Sequence, residues 1–220
     1  MLFLDLGADL VHVYRIDNCT GTMVEFGPLI SKKDSGPRHA TFFRPSNSSD
    51  TFLFVVHELS SGIVSYKVNY IPNGGLDFTI VQDVSTFGDR ESPVDAKAAE
   101  IALSPDNRFL LASNRNFTSM FNVTNPDPKN STQIASDSIV TYKLSQNGTL
   151  SFVQLAPSGG SFPRFFQMNK DGSQIAVANQ VTMNVNIFSR NLETGLIGDL
   201  VAATTAPPGD GGLAYVQFIE

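Results

Sequence analysis

Arg38-His39-Ala40-Thr41-Phe42-Phe43, Phe52-Leu53-Phe54-Val55-Val56, Ile63-Val64-Ser65-Tyr66-Lys67-Val68 and Phe78-Thr79-Ile80-Val81 follow one another with only turn-forming residues between them. Each run is short, rich in β-branched and aromatic side chains, and bounded by Gly, Pro, Asn, Asp or Ser. Such runs read as successive antiparallel strands. The pattern recurs as Ile101-Ala102-Leu103, Phe109-Leu110-Leu111-Ala112, Ile139-Val140-Thr141-Tyr142 and Leu150-Ser151-Phe152-Val153. It returns as Phe165-Phe166-Gln167-Met168, Gln174-Ile175-Ala176-Val177, Val185-Asn186-Ile187-Phe188 and a weaker strand near Asp199–Ala202. Pro105-Asp106-Asn107 and Lys170-Asp171-Gly172 mark the first turn of these two units. No stretch sustains a helical period.

A polar residue closes the second run of each unit, and an aromatic follows nine positions later in three cases: Asp5 to Tyr14, His57 to Tyr66, Asn179 to Phe188. Asn114 is the fourth such residue and reaches Tyr142 only after an insertion. Four short strands per unit, repeated, predict the blades of an all-β propeller, whose sheets bury their faces against one another around an axis. The units fall near 1–30, 36–85, 98–158 and 162–203, with a closing strand at 214–218 and an exposed loop insertion over 116–137. This amounts to three full four-stranded blades, a partial first blade and a closing strand, about half a ring. It reads as part of a larger circle, with open blade edges that predict self-association. An irregular β-sandwich is the alternative.

With 41% hydrophobic and 16% charged residues, the 220-residue chain has enough apolar material for a real core. A net charge of -6 argues against a nucleic-acid partner. No apolar run is long enough for a membrane-spanning helix. One cysteine and three histidines fit neither a disulfide framework nor a structural metal site, so no metal or cofactor is expected. A serine-hydrolase reading fails because no Gly-x-Ser-x-Gly elbow occurs.

In an antiparallel blade the start of the first strand and the end of the second share a rim, and radial stacking brings the rims together. That geometry predicts that Arg38-His39, Glu100 and Arg164 meet Glu58 and Asn114-Arg115 at one mouth of the channel. Arginines beside a carboxylate suit an anionic substrate, which they would bind and polarise. His57 should point away from its neighbour Glu58, and His12 reads as surface on an edge-like strand.

At these residues the chain resembles the seven-bladed lactonase propeller family, which groups 6-phosphogluconolactonases with fungal 3-carboxy-cis,cis-muconate lactonizing enzymes. The matching segments are Asp5-Leu6-Gly7-Ala8-Asp9 running into Val11-His12-Val13-Tyr14, Gly36-Pro37-Arg38-His39, and Val56-His57-Glu58-Leu59. Ala98-Ala99-Glu100-Ile101-Ala102-Leu103-Ser104-Pro105-Asp106, Ala112-Ser113-Asn114-Arg115 and Tyr215-Val216-Gln217-Phe218 continue the match. The resemblance implies a metal-free site of one histidine, one glutamate and two arginines. Motif by motif the arginines fall on Arg38 and Arg115 and the glutamate on Glu58, which would act as general base. From their place on the shared rim, and not from the resemblance, His39, Glu100, Asn114 and Arg164 are expected to contact substrate. The family's histidine belongs to a strand before Asp5, so the chain as written lacks it. The implied substrate is a small anionic lactone or carboxylate, either hydrolysed or formed by cyclisation. The alternative is a secreted, non-catalytic binding module.

Six Asn-x-Ser/Thr sequons, at Asn18, Asn47, Asn116, Asn122, Asn130 and Asn147, exceed chance and predict a glycosylated extracellular protein.

Overall fold

A computed structural model describes residues 1–46, 48–72, 74–115, 120–126, 130–207 and 211–219. Among them there is no helix. The first sheet has three strands, β1 (Leu2–Asp5), β2 (Leu10–Ile16) and β3 (Met23–Ile30). The second has β4 (Pro37–Phe43), β5 (Thr51–His57), β6 (Gly62–Tyr70) and β7 (Leu76–Ser85) in sequential order. The third contains β8 (Lys97–Leu103) and β9 (Phe109–Arg115); a hairpin of β10 (Phe121–Thr124) and β11 (Gln133–Ser136) then intervenes before β12 (Ser138–Leu144) and β13 (Leu150–Pro157) complete the sheet. The fourth has β14 (Pro163–Met168), β15 (Gln174–Asn179), β16 (Asn184–Arg190) and β17 (Ile197–Thr205). All pairings are antiparallel, and the innermost strands β1, β4, β8 and β14 pack in succession, as propeller blades do.

The core lies between blades. Phe54, Leu110 and Val140 are wholly buried in one cluster, and Phe166, Ile175 and Leu111 in the next. Two repeated devices fasten adjacent blades at their outer edge. Gln82 on β7 clasps Leu150 through both amide atoms, and Gln154 on β13 clasps Ile197 in the same way. Each amide satisfies a backbone donor and acceptor that burial would otherwise leave unpaired. The tight turns at Gly148 and Gly195, each with φ of 79°, rest on Phe52 and Phe109 of the preceding blade. A Cβ at either position would overlap the ring.

Three expectations need correction. Residues 214–218 form no strand: Tyr215 stacks on Phe165 at 4.4 Å and the Phe218 N–H reaches Gln167, but no backbone ladder forms. The insertion 116–137 is not simply an exposed loop, because β10 and β11 pair and its end, Ser136–Asp137, is buried; residues 116–119 and 127–129 lie outside the described ones. His12 lies on the middle strand of its sheet, not on an edge, half-buried with Nδ1 2.8 Å from Glu25 Oε1.

Candidate active site

The entrance to each first strand is set by the blade before it. Asp9, just ahead of β2, accepts hydrogen bonds from the Asp34 and Gly36 N–H groups at 2.7 and 2.8 Å. These two bonds hold the Asp9 carboxyl below the usual carboxylate range. Ser61, just ahead of β6, donates to Ala96 O at 2.9 Å. Asp137, just ahead of β12, accepts from the Phe162 N–H at 2.6 Å. Gly36 and Phe162, with φ of 65° and 69°, each precede a Pro-Arg pair. A left-handed phenylalanine costs about 1 kcal/mol or more, and the Asp137 anchor offsets it.

Immediately after these entrances the ladder slips. Pro37 pairs with His57 and His39 with Val56, so Arg38 is the extra residue of a β-bulge. Pro163 pairs with Asn179 and Phe165 with Ala178, which leaves Arg164 outside the ladder in the same way. Ala98 pairs with Asn114 and Ile101 with Ala112, and Ala99 and Glu100 fall between. A bulge re-aims side chains that a regular pleat would alternate. It is how three blades deliver Arg38, Glu100 and Arg164 to one place.

There Arg38 Nε lies 2.9 Å and Arg115 Nη2 2.7 Å from the same oxygen, Glu58 Oε2. All three side chains are largely shielded, at 13%, 5% and 15% exposure for Arg38, Arg115 and Glu58. Arg38 Nη1 also donates to Ala99 O at 2.5 Å, and Arg115 Nη2 to Ala98 O at 2.9 Å. The Phe162 ring covers the Arg115 guanidinium at 5.0 Å. Beside the cluster, His39 Nδ1 is 2.7 Å from Glu100 Oε1. Burial and then repulsion from Arg115 hold the Arg38 guanidinium below its ordinary value; Glu58 and Glu100 pull the other way, and Arg164 adds repulsion. Arg164 is half-buried and makes no ion pair or hydrogen bond with any described residue. Three arginines face two glutamates, so the cluster carries excess positive charge suited to an anion.

Arg38, Glu58, Arg115, His39, Glu100 and Arg164 thus converge. Asn114 does not face the site. It is wholly buried, and its amide donates to Thr86 O at 2.7 Å and Ser138 Oγ at 3.1 Å. Strand alternation explains the difference, because its neighbour Arg115 faces the cluster. The polar residues that close each second strand share this structural task. His57 Nε2 meets Ser31 Oγ at 3.1 Å, Asn114 meets Thr86 O, and Asn179 meets Ser158 O at 3.1 Å. Each partner is the residue just past the previous blade's last strand. Phe162 and Asp137 carry no motif in the sequence and were not anticipated.

His57 is 1% exposed, and burial pushes its pKa below the ordinary 6.5, against smaller opposing pulls from Asp83 and Asp9. The unfolded chain therefore binds this proton more readily than the native one. His57 costs nothing above pH 6.5, and below it stability should fall by up to about 1.4 kcal/mol per pH unit. Urea melts between pH 5 and 7.5 should show this slope, and His57→Gln should flatten it.

A stack of antiparallel blades that brings arginines and glutamates from successive sheets into one shielded cluster defines a β-propeller with a charged candidate site. The chain belongs to the lactonase family of seven-bladed β-propellers, whose model matches residues 1–210. It is 30% identical to a 6-phosphogluconolactonase of Formosa agariphila over 90% of this chain and 50% of that protein. It is 26% identical to the 6-phosphogluconolactonase of Bacillus subtilis over 93% of this chain and 50% of that one. A crystal structure of a Lactobacillus plantarum protein superposes with a TM-score of 0.74 at 28% identity, covering 96% of this chain and 53% of that one. The chain spans about half the length of the curated relatives it matches.

Proposed function

We propose that this chain carries the substrate-binding and catalytic face of a hydrolase for small anionic lactones, a sugar-acid lactone bearing a phosphate or carboxylate. The observation that carries the reading is the shared oxygen of Glu58. By binding Arg38 and Arg115 together, it fixes two guanidinium groups at one point while their remaining N–H groups can hold a polarised carbonyl oxygen. Arg164, unpaired among the described residues, supplies the charge for the substrate's anionic group. Relatives named 6-phosphogluconolactonase favour lactone hydrolysis over cyclisation of a carboxymuconate and over a purely binding role. The test is acid release from gluconolactone and its 6-phosphate, followed at constant pH against spontaneous hydrolysis, with 3-carboxymuconate as a third substrate. Turnover of the lactones supports the reading; turnover of the muconate alone, or anion binding without turnover, contradicts it.

Arg164→Gln removes one charge-assisted contact worth about 1.5–3 kcal/mol. KM for the phosphorylated lactone should rise about 10- to 100-fold with kcat little changed. The unphosphorylated lactone should be much less affected.

We also propose that the protein is extracellular and glycosylated. Asn18, Asn122, Asn130 and Asn147 are exposed, as acceptors must be; Asn47 and Asn116 lie outside the described residues. Protein secreted from a eukaryotic host should lose mass on treatment with a peptide N-glycosidase. Unchanged mass would contradict this.

A further inference from the structure

We infer that His39, oriented by Glu100, is the general base of this site, and that Glu58 organises the arginines instead of taking the proton. The inference rests on the lactone-hydrolase reading above and deepens it.

The hydrogen bonds around His39 fix its chemistry. A carboxylate only accepts, so the 2.7 Å contact to Glu100 Oε1 requires a proton on Nδ1. Arg38 Nη1 lies 3.5 Å from Nε2, at the outer limit of a hydrogen bond; a guanidinium only donates, so this neighbour favours a lone pair on Nε2 without closing it off from a water. Both neighbours select the same neutral tautomer, with Nε2 bare. A histidine that donates from one nitrogen to a buried carboxylate and presents the other to a reacting group is the arrangement general bases use.

The exposures agree with this division of labour. The His39 side chain is 41% exposed and Glu100 only 9%, an open ring on a buried anchor. Glu100 Oε1 is further held by the Ile101 N–H at 3.0 Å, and the Glu100 N–H donates to Ser113 Oγ at 3.1 Å. Its other oxygen, Oε2, is buried with no hydrogen-bond partner among the described residues. Glu58, by contrast, already receives both guanidinium groups on one oxygen. The charged groups around His39 are Arg38 on its own strand, Glu100 from β8, Glu58 after β5, Arg115 from β9 and Arg164 from β14.

In the step itself, His39 Nε2 takes a proton from water as the water oxygen bonds to the lactone carbonyl carbon. Arg38 and Arg115 hold the resulting oxyanion. The carbonyl re-forms as the ring C–O bond breaks, and the departing oxygen takes the proton back from Nε2. Lactone and water become one hydroxy acid, which ionises, and the imidazole is restored.

With three histidines in the chain, ring resonances can be assigned using His12→Gln and His57→Gln. Long-range 15N–1H spectra should show His39 protonated on Nδ1 only, and Glu100→Leu should abolish that preference. His39→Gln should lower kcat by about 10²–10⁴-fold, with binding of 6-phosphogluconate retained as evidence of folding. Glu100→Leu should lower kcat at little changed KM, and Glu100→Asp should partly restore both rate and tautomer. A ring protonated on Nε2, or an active protein in which His39→Gln leaves kcat within twofold, overturns the inference while the hydrolase reading stands. A wild-type protein that hydrolyses no lactone overturns both.

Discussion

Replacing Glu58 by alanine is expected to cost both stability and activity, because it strands two arginines at once. Arg38 and Arg115 are 13% and 5% exposed, and the carboxylate at 2.9 and 2.7 Å is what offsets their mutual repulsion. Breaking a largely buried ion pair by removing one partner costs about 3–5 kcal/mol. Arg115 Nε is already buried without a partner among the described residues, so little is available to re-pair that side chain. Released guanidinium groups no longer converge, and kcat/KM on the lactone should fall about 10²–10³-fold. Glu58→Gln keeps an acceptor oxygen and should lose less stability. If both variants melted like wild type and lost only rate, Glu58 would be acting on substrate and not on the arginines. Chemical denaturation together with initial rates separates the two.

The second large effect lies between blades. Phe109 is 1% exposed, with the Gly195 turn of the next blade resting on its ring. The guanidinium groups of Arg190 and Arg108 approach the same ring at 5.0 and 5.7 Å. Arg190 itself is 4% exposed, with Nε and Nη2 buried and unpartnered among the described residues, so the ring is part of its compensation. Phe109→Ala should lower stability by about 3–5 kcal/mol, and Phe109→Leu by clearly less. Because the loss falls at the junction of the third and fourth blades, hydrogen exchange should rise first in β14–β17. Uniform exchange across all four blades would contradict that placement.

The blades were legible because each strand carries its own short run of β-branched and aromatic residues, as in Phe52–Val56 and Ile139–Tyr142, cut by turns with their own chemistry. The convergence of Arg38, Glu58 and Arg115 followed from topology alone, since strand starts and ends share a rim whatever the side-chain detail. The register slips that aim Arg38, Glu100 and Arg164 were not legible, because a bulge adds one residue to a ladder without altering composition. Asn114, which closes the second strand of its blade, looked like a site residue. One position of alternation separates Asn114, tied to Thr86, from Arg115, tied to Glu58. The segment at 214–218 has strand-like residues, but a ladder needs a backbone partner, and it meets β14 through a ring stack and one N–H donated to the Gln167 side chain. Phe162 gave no signal at all, since a left-handed phenylalanine is dictated by the Asp137 anchor and not by its own preference.

The most direct test is a crystal structure of the protein grown with 6-phosphogluconate. The account predicts one ordered anion at the channel mouth, with its phosphate on Arg164 and its carboxylate against Arg38 and Arg115. Glu58 should still bridge the last two, and His39 Nε2 should lie within hydrogen-bond reach of the ligand or its water. An anion bound away from these arginines, or the guanidinium groups of Arg38 and Arg115 parted from Glu58, would contradict it.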